Sequence, residues 1–342
     1  MNLKEAKYKD FALVKDMLET ATVMEKFDYD RADEVVASTQ QSGKLMLTGE
    51  GSSRIFPAKN FITEARKSGM AIHAITEGAR QAHEYDLSDY TVLGASNSGQ
   101  TKELISLFSQ LQERGHTGRF GLTAHRDTRL HAVSNTCYTL ACGREGAVAA
   151  TKSVVEQGLF YQSILSGLVP EKGGEVVRKN QMVAAEAATA VLEMKLDTEI
   201  VAAIAGAAMV YFAGRNNGVA EELTLKANEI TRKKSDFLEG TYAVHGVEEV
   251  MDPTDVLVIV DPYPAEEEKF RQCLVEGVGM KVFAVGSRDT SFPTIKIPHV
   301  WGFDTFLQLL AGWNVLVDVG IQNGINPDKP IRARKVGNEF TG

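Results

Sequence analysis

The chain has 342 residues, 44% of them hydrophobic and 24% charged, enough to bury a core of two domains or one large α/β unit, which excludes a small stapled scaffold and a disordered chain. Lys and Arg number 37 against 45 Asp and Glu, a net charge of −8, and no basic run exceeds Arg232-Lys233-Lys234, so nucleic acid is not an expected partner. Three cysteines (Cys137, Cys142, Cys273) and a start without an apolar leader point to a reduced, cytoplasmic protein, and no apolar stretch reaches the ~20 residues needed to span a bilayer.

Met1–Thr39 reads as one or two helices packed on the outside. Strands follow at Leu45–Gly49, Thr91–Ala95, Arg119–Ala124 and Thr136–Ala141, with helices after the first two and a long helix over Ala149–Leu168. The Ala-, Val- and Glu-rich stretch Glu171–Ala207 reads as a connecting helix. The second half offers strands at Met209–Gly214, Val256–Val260, Val282–Gly286 and Ile295–Ile297, then a closing helix at about 305–322 and an extended tail, Ile325–Gly342. Short buried strands alternating with helices are the signature of βαβ units. The class is α/β, with doubly wound parallel sheets.

The two halves look alike. Ser88-Asp89-Tyr90-Thr91-Val92-Leu93 matches Thr254-Asp255-Val256-Leu257-Val258-Ile259, and Arg126-Asp127-Thr128 matches Arg288-Asp289-Thr290. Offsets of this size describe a copied domain rather than a solenoid unit. The expected organisation is N-terminal helices over 1–39, a first domain over 40–170, a connector over 171–200, a second domain over 201–324 and a tail over 325–342.

In an open α/β sheet, ligands bind beyond the carboxyl ends of the strands. Ser96-Asn97-Ser98-Gly99-Gln100-Thr101 follows a strand and opens a helix; its hydroxyls and the helix N–H groups suit a dianionic phosphate, although one Ser or Thr would also serve as an ordinary cap. Gly49-Glu50-Gly51-Ser52-Ser53-Arg54 adds hydroxyls and a cation. As a dinucleotide fingerprint it fails, because Arg54 stands where a third glycine is needed. The second half has no serine loop, but Glu222, Lys226 and Glu229 lie on one helical face, which spacing alone reads as a solvated i,i+4 pair. His245 is a lone histidine in an apolar stretch. The cysteines lack zinc-ligand spacing, so no metal or cofactor is expected.

These loops, together with Gly146-Ala147-Val148-Ala149-Ala150-Thr151-Lys152, Glu222-Leu223-Thr224-Leu225-Lys226-Ala227-Asn228-Glu229-Ile230 and His245-Gly246, closely resemble the tandem sugar isomerase (SIS) family, which includes the isomerase half of glucosamine-6-phosphate synthase. The resemblance implies two flavodoxin-like domains and a homodimer with composite active sites, His245 entering the neighbour's site. It implies that Ser96, Ser98 and Thr101 hold a sugar phosphate, assisted by Asn97 and Ser53; Ser52 and Arg54 of the same loop are expected to add a hydroxyl and a fixed charge at the anion end. Glu229 would move the proton between C1 and C2, with Glu222 and Lys226 arranging it; His245 would assist ring opening, and Lys335 would reach the open-chain carbonyl. Val148 and Ala150 would face the C1–C2 end.

Aldose–ketose exchange through a cis-enediol needs one base serving two carbons, a second acid/base for the ring oxygen, and positive charge near the enediolate. The implied residues supply one of each. Four features depart from the synthase: no glutaminase domain is expected ahead of the isomerase region, Ala150 replaces a serine near C2, Arg54 replaces an uncharged residue, and Gly337-Asn338-Glu339-Phe340 does not follow the synthase pattern. The expected activity is therefore isomerisation of a hexose with an anionic C6 group, a phosphate by default and a sulfonate as a variant. An amino-sugar-6-phosphate deaminase or fructosamine-6-phosphate deglycase is the alternative, and a non-catalytic sugar-phosphate sensor a third reading.

Overall fold

A computed structural model describes residues 1–169 and 175–332. The chain divides into two compact units. One comprises Met1–Ala21 and Met182–Pro330; the other comprises Thr22–Gln181 and, of the described tail, Ile331 and Arg332. The first 21 residues thus join the second half of the chain, where the sequence reading kept 1–39 as one layer. Three short helices occupy that stretch, Ala12–Leu18, Thr20–Lys26 and Asp33–Ser42.

The Thr22–Gln181 unit contains a five-stranded parallel sheet of β1 (Lys44–Gly49), β2 (His73–Gly78), β3 (Thr91–Ala95), β4 (Arg119–Thr123) and β5 (Thr136–Thr139), in the order β2-β1-β3-β4-β5. The other unit carries β6 (Met209–Gly214), β7 (Lys234–Glu239), β8 (Val256–Val260), β9 (Lys281–Gly286) and β10 (Thr294–Lys296), in the order β10-β9-β8-β6-β7. Counted within each unit, the strand order is the same.

Central strands β3 and β8 are buried along their whole length, which is why their sequences are continuous apolar runs. On the helix Lys102–Glu113, which follows β3, Leu104, Ile105, Leu107, Phe108 and Leu111 turn inward and join Met46 and Val92 in one core cluster. Tyr211, Leu257, Ile259, Leu274 and Val282 form the corresponding core of the other unit.

Several expectations need correction. Edge strands β2 and β7 were not foreseen: His73-Ala74-Ile75-Thr76-Glu77-Gly78 and Lys234-Ser235-Asp236-Phe237-Leu238-Glu239 are largely part-exposed or exposed and polar, as edge strands facing solvent can be. The connector is two helices, Glu175–Glu193 and Thr198–Gly206, the second started by Asp197, whose side chain accepts from Glu199 N at 2.8 Å. The long helix begins at Lys152 rather than Ala149. The closing helix is Asp304–Gln322. Among the described residues no helix is long and apolar enough to cross a membrane.

Candidate active-site residues

Beyond β3 the chain turns sharply through Ser96–Thr101. Ser96 Oγ and Thr101 Oγ1 lie 2.7 Å apart, Gly99 N donates to Ser96 Oγ at 3.0 Å, and Gln100 N donates to Ser98 Oγ at 3.1 Å. Gly99 sits at φ +63°, and a Cβ there would lie 2.6 Å from that of Thr128 and 2.8 Å from Thr123 Oγ1, so conformation and space both require glycine. Thr101 precedes the helix without capping it by its side chain. The ordinary-cap reading of this loop therefore does not describe it: the hydroxyls tie the loop to itself, and the helix start is left uncapped by Thr101.

Asn97 faces inward. Its Nδ2 donates to Glu145 Oε2 at 3.0 Å and Ser153 Oγ at 2.7 Å, while its carbonyl accepts from Ala124 N and Thr123 Oγ1. Both amide hydrogens are thereby engaged within the protein.

The loop beyond β1 is a tight turn, Gly51–Ser53, leading into the helix Ile55–Lys67. Gly49 permits close approach to β3, because a Cβ there would stand 2.6 Å from the Ala95 carbonyl oxygen. Ser52, Ser53 and Arg54 are half-buried, and Ser53 Oγ lies 3.5 Å from Gln157 Nε2. Between them and β2, burial pushes the Glu50 carboxyl above its usual range; N–H groups of Arg80 and Ala79 and the Arg54 charge oppose that shift without cancelling it.

Val148 and Ala150 are half-buried and alternate with the buried Ala147 and Ala149, which turns positions 148 and 150 outward on the loop before the helix Lys152–Leu168. Sequence reasoning missed Glu145 at the base of this loop. Its buried carboxylate accepts from Thr151 N at 2.6 Å, Ser153 N at 3.3 Å and Ser153 Oγ at 2.8 Å, besides Asn97. The available signal was an acid placed shortly before a hydroxyl-rich helix start.

In the other unit, the helix Val219–Lys226 widens into a π-turn over Ala227–Thr231, a local geometry that often marks functional positions. Lys226 Nζ lies 3.2 Å from Glu222 Oε1 and 2.7 Å from Glu229 Oε2. The side chains of Lys226 and Glu222 have no exposure, and that of Glu229 keeps 29%. The solvated-pair reading is therefore overturned: this is a buried triad with one carboxylate reaching the surface. Burial would lower the Lys226 pKa, but Glu229 and Glu222 outweigh it and hold the ammonium above its usual value.

His245 is exposed, and its Nε2 lies 3.2 Å from Lys269 Nζ. Lys335 lies outside the described residues. All three cysteines are free, and burial pushes Cys137 up to about 12 and raises Cys142 as well.

The loop beyond β8, Asp261-Pro262-Tyr263-Pro264, holds the place in its sheet that Ser96–Thr101 holds beyond β3. There Arg215 Nη1 donates to the Asp261 carbonyl and pairs with Asp261 Oδ2 at 2.5 Å, with the guanidinium 4.3 Å from the Tyr263 ring centre. Arg288 Nη2 donates to the Pro262 carbonyl at 2.6 Å and pairs with Glu267. This crevice is occupied by the protein's own charges.

No protein-family model matches the chain. It resembles the glutamine–fructose-6-phosphate aminotransferase (isomerizing) of Sulfolobus acidocaldarius, with 23% identity over 321 residues, 89% of this chain and 51% of the relative; the chain thus spans about half the length of that relative. Among solved structures, the tagatose-6-phosphate ketose/aldose isomerase of Escherichia coli superposes with a TM-score of 0.71 at 15% identity, covering 96% of this chain and 98% of that one. The C-terminal domain of the glucosamine-fructose-6-phosphate aminotransferase of Francisella tularensis gives 0.70 at 17%, covering 91% and 97%. The glucosamine-6-phosphate deaminase of Thermotoga maritima gives 0.68 at 21%, covering 95% and 98%. These likenesses fix the fold as the one those phosphosugar enzymes share.

Proposed function

We propose that the chain is a sugar-phosphate isomerase that interconverts an aldose and a ketose carrying an anionic group on C6, through a cis-enediol. The observation that carries the reading is the triad: a carboxylate that is partly open, Glu229, held at 2.7 Å by a fully buried Lys226 whose other partner, Glu222, is equally buried. An internal ion pair of this kind gains little stability over apolar packing, whereas a carboxylate fixed at the surface by a buried cation is suited to taking a proton from one carbon and returning it to the next.

In this reading Glu229 moves the proton between C2 of the aldose and C1 of the ketose. Lys226 and Glu222 orient it. The Ser96–Thr101 loop, with Ser52, Ser53 and Arg54, holds the anion, so binding energy remote from the reacting carbons fixes orientation. Asn97 contributes by holding the loop in place, its amide hydrogens being spent on Glu145 and Ser153 rather than on the anion. His245 serves ring opening and Lys335 the developing enediolate charge. Val148 and Ala150 meet the C1–C2 end of the sugar. Carried over from the family resemblance, the protein is a homodimer and His245 acts in the partner's site; a monomer by equilibrium sedimentation removes that part.

The experiment is incubation with hexose 6-phosphates and 6-sulfonates, following aldose–ketose exchange by NMR and loss of the C2 proton to deuterated water. Exchange without ammonia supports the isomerase. Ammonia or free amino acid from amino-sugar or fructosamine 6-phosphates, with no exchange on plain sugars, replaces it with the nitrogen-releasing activity that the deaminase-like fold also allows. Ligand-induced stabilisation with no turnover of any kind leaves a sensor.

A further inference from the structure

We infer that Glu145 is a positioning residue for the anion loop: one buried carboxylate ties Ser96–Thr101 to the Val148–Ala150 loop and to the helix behind both. The inference rests on the anion-site reading above. Glu145 is 5% exposed. Its Oε1 accepts from Thr151 N, Thr151 Oγ1 and Ser153 N at 2.6, 3.2 and 3.3 Å, which anchors it to the start of the helix Lys152–Leu168. Its Oε2 accepts from Asn97 Nδ2 at 3.0 Å and Ser153 Oγ at 2.8 Å. Asn97 in turn is the residue between the two serines of the anion loop.

The polarity of this link is fixed by chemistry. Glu145 contributes acceptors to it, and Asn97 Nδ2 contributes donors. Below the surface, a reversed partner leaves a donor facing a donor, which costs far more than the loss of an exposed contact. The loop that carries the serine hydroxyls is therefore held in place by a contact outside the anion site itself. Buried Glu156 has a related function at the other end of the segment, accepting from Ala141 N at 2.7 Å and Cys142 N at 2.6 Å. The stretch from Ala141 to Thr151 is thus pinned at both ends, while positions 148 and 150 stay turned outward.

The link can be broken and rebuilt. Glu145→Gln keeps an acceptor for Thr151 and Ser153 but turns an amide nitrogen toward Asn97. Asn97→Asp sets two carboxylates against each other. The double variant Asn97→Asp/Glu145→Gln restores a donor facing an acceptor, with direction reversed and total charge unchanged. For the hexose 6-phosphate that wild type turns over, Glu145→Gln is expected to raise KM about tenfold or more while kcat falls less. The double variant is expected to recover at least about threefold of that KM and part of the lost Tm, a non-additive rescue.

A purely structural role would lower the folded fraction and Tm and leave KM unchanged; that result, or a double variant no better than Glu145→Gln, overturns the inference. Should Glu145→Gln fail to fold, the double variant decides alone: folded with measurable KM supports the link, unfolded refutes it. Wild type that no hexose 6-phosphate stabilises refutes the anion-site reading instead. Wild type that is stabilised, beside a Glu145→Gln protein of equal KM, refutes this inference alone.

Discussion

The loops beyond β3 and β8 occupy the same place in two sheets of the same strand order, yet their contents are opposite in kind. Beyond β3 stand short uncharged groups: two hydroxyls bonded to each other, a left-handed glycine, and a threonine that leaves its helix uncapped by its side chain. Beyond β8 stand Asp261, Tyr263 and two arginines already paired with carboxylates. A carboxyl-end crevice is a property of the sheet, but an anion can enter only where the protein has not supplied its own. In the proposed function, the reactive groups of the β8 unit lie after β6 instead, in the Glu222–Lys226–Glu229 triad.

The largest test of that division of labour is Glu229→Gln. Removing a general base is expected to lower kcat by about 10²–10⁴-fold, while stabilisation by hexose 6-phosphate in a thermal-shift assay persists. Unchanged turnover would take Glu229 out of its role and leave the β8 unit without chemistry.

Next in size is Lys226→Met. It strands Glu222, whose side chain has no exposure, and is expected to cost about 3–5 kcal/mol by chemical denaturation. Lys226→Met/Glu222→Met, which removes the inner pair together, is expected to recover much of that loss while activity stays absent. The alkaline limb adds a check. Because the folded protein holds the Lys226 proton more tightly than the usual 10.5, its contribution is complete below 10.5 and fades as pH rises toward the folded value. As pH rises above about 10.5, wild-type stability should therefore fall more steeply than that of the double variant, with no difference in slope below it.

How much of this was legible in the sequence depends on how each element declares itself. Buried central strands are continuous apolar runs and were found; β2 and β7 are edge strands of mixed polarity, and no alternation separated them from loop. The β3 loop announced itself through Ser96, Ser98 and Thr101. Spacing did not mark the triad, because Glu222, Lys226 and Glu229 are spaced as countless surface pairs are; the family resemblance singled them out, and burial sets them apart in the structure. Glu145 was missed for another reason: an acid before a helix start suggests a local cap, while its reach back 48 residues to Asn97 is a contact that no local pattern encodes.

Smaller again is Gly99→Ala. A methyl group at φ +63° would crowd Thr128 and Thr123, for an expected cost of about 1–3 kcal/mol and a weakened thermal shift with hexose 6-phosphate. Retained ligand stabilisation with lowered Tm would show the glycine serving the fold and not the anion.

The least effect is expected from Arg215→Lys, and it is the sharpest on the comparison. Arg215 donates to the Asp261 carbonyl, pairs with its carboxylate and stacks on Tyr263. Lysine keeps the charge but loses the planar fork that makes these contacts together. The Arg215 and Asp261 side chains are 24% and 38% exposed, so solvent screens much of the attraction, and the stability change should stay within about 1 kcal/mol. Stabilisation by hexose 6-phosphate should be untouched, since the crevice beyond β8 is already filled by Asp261. A variant that folds normally yet no longer responds to the sugar phosphate would mean that Arg215 releases Asp261 to take the ligand's anion, and the contrast between the two loops would then be one of occupancy and not of kind.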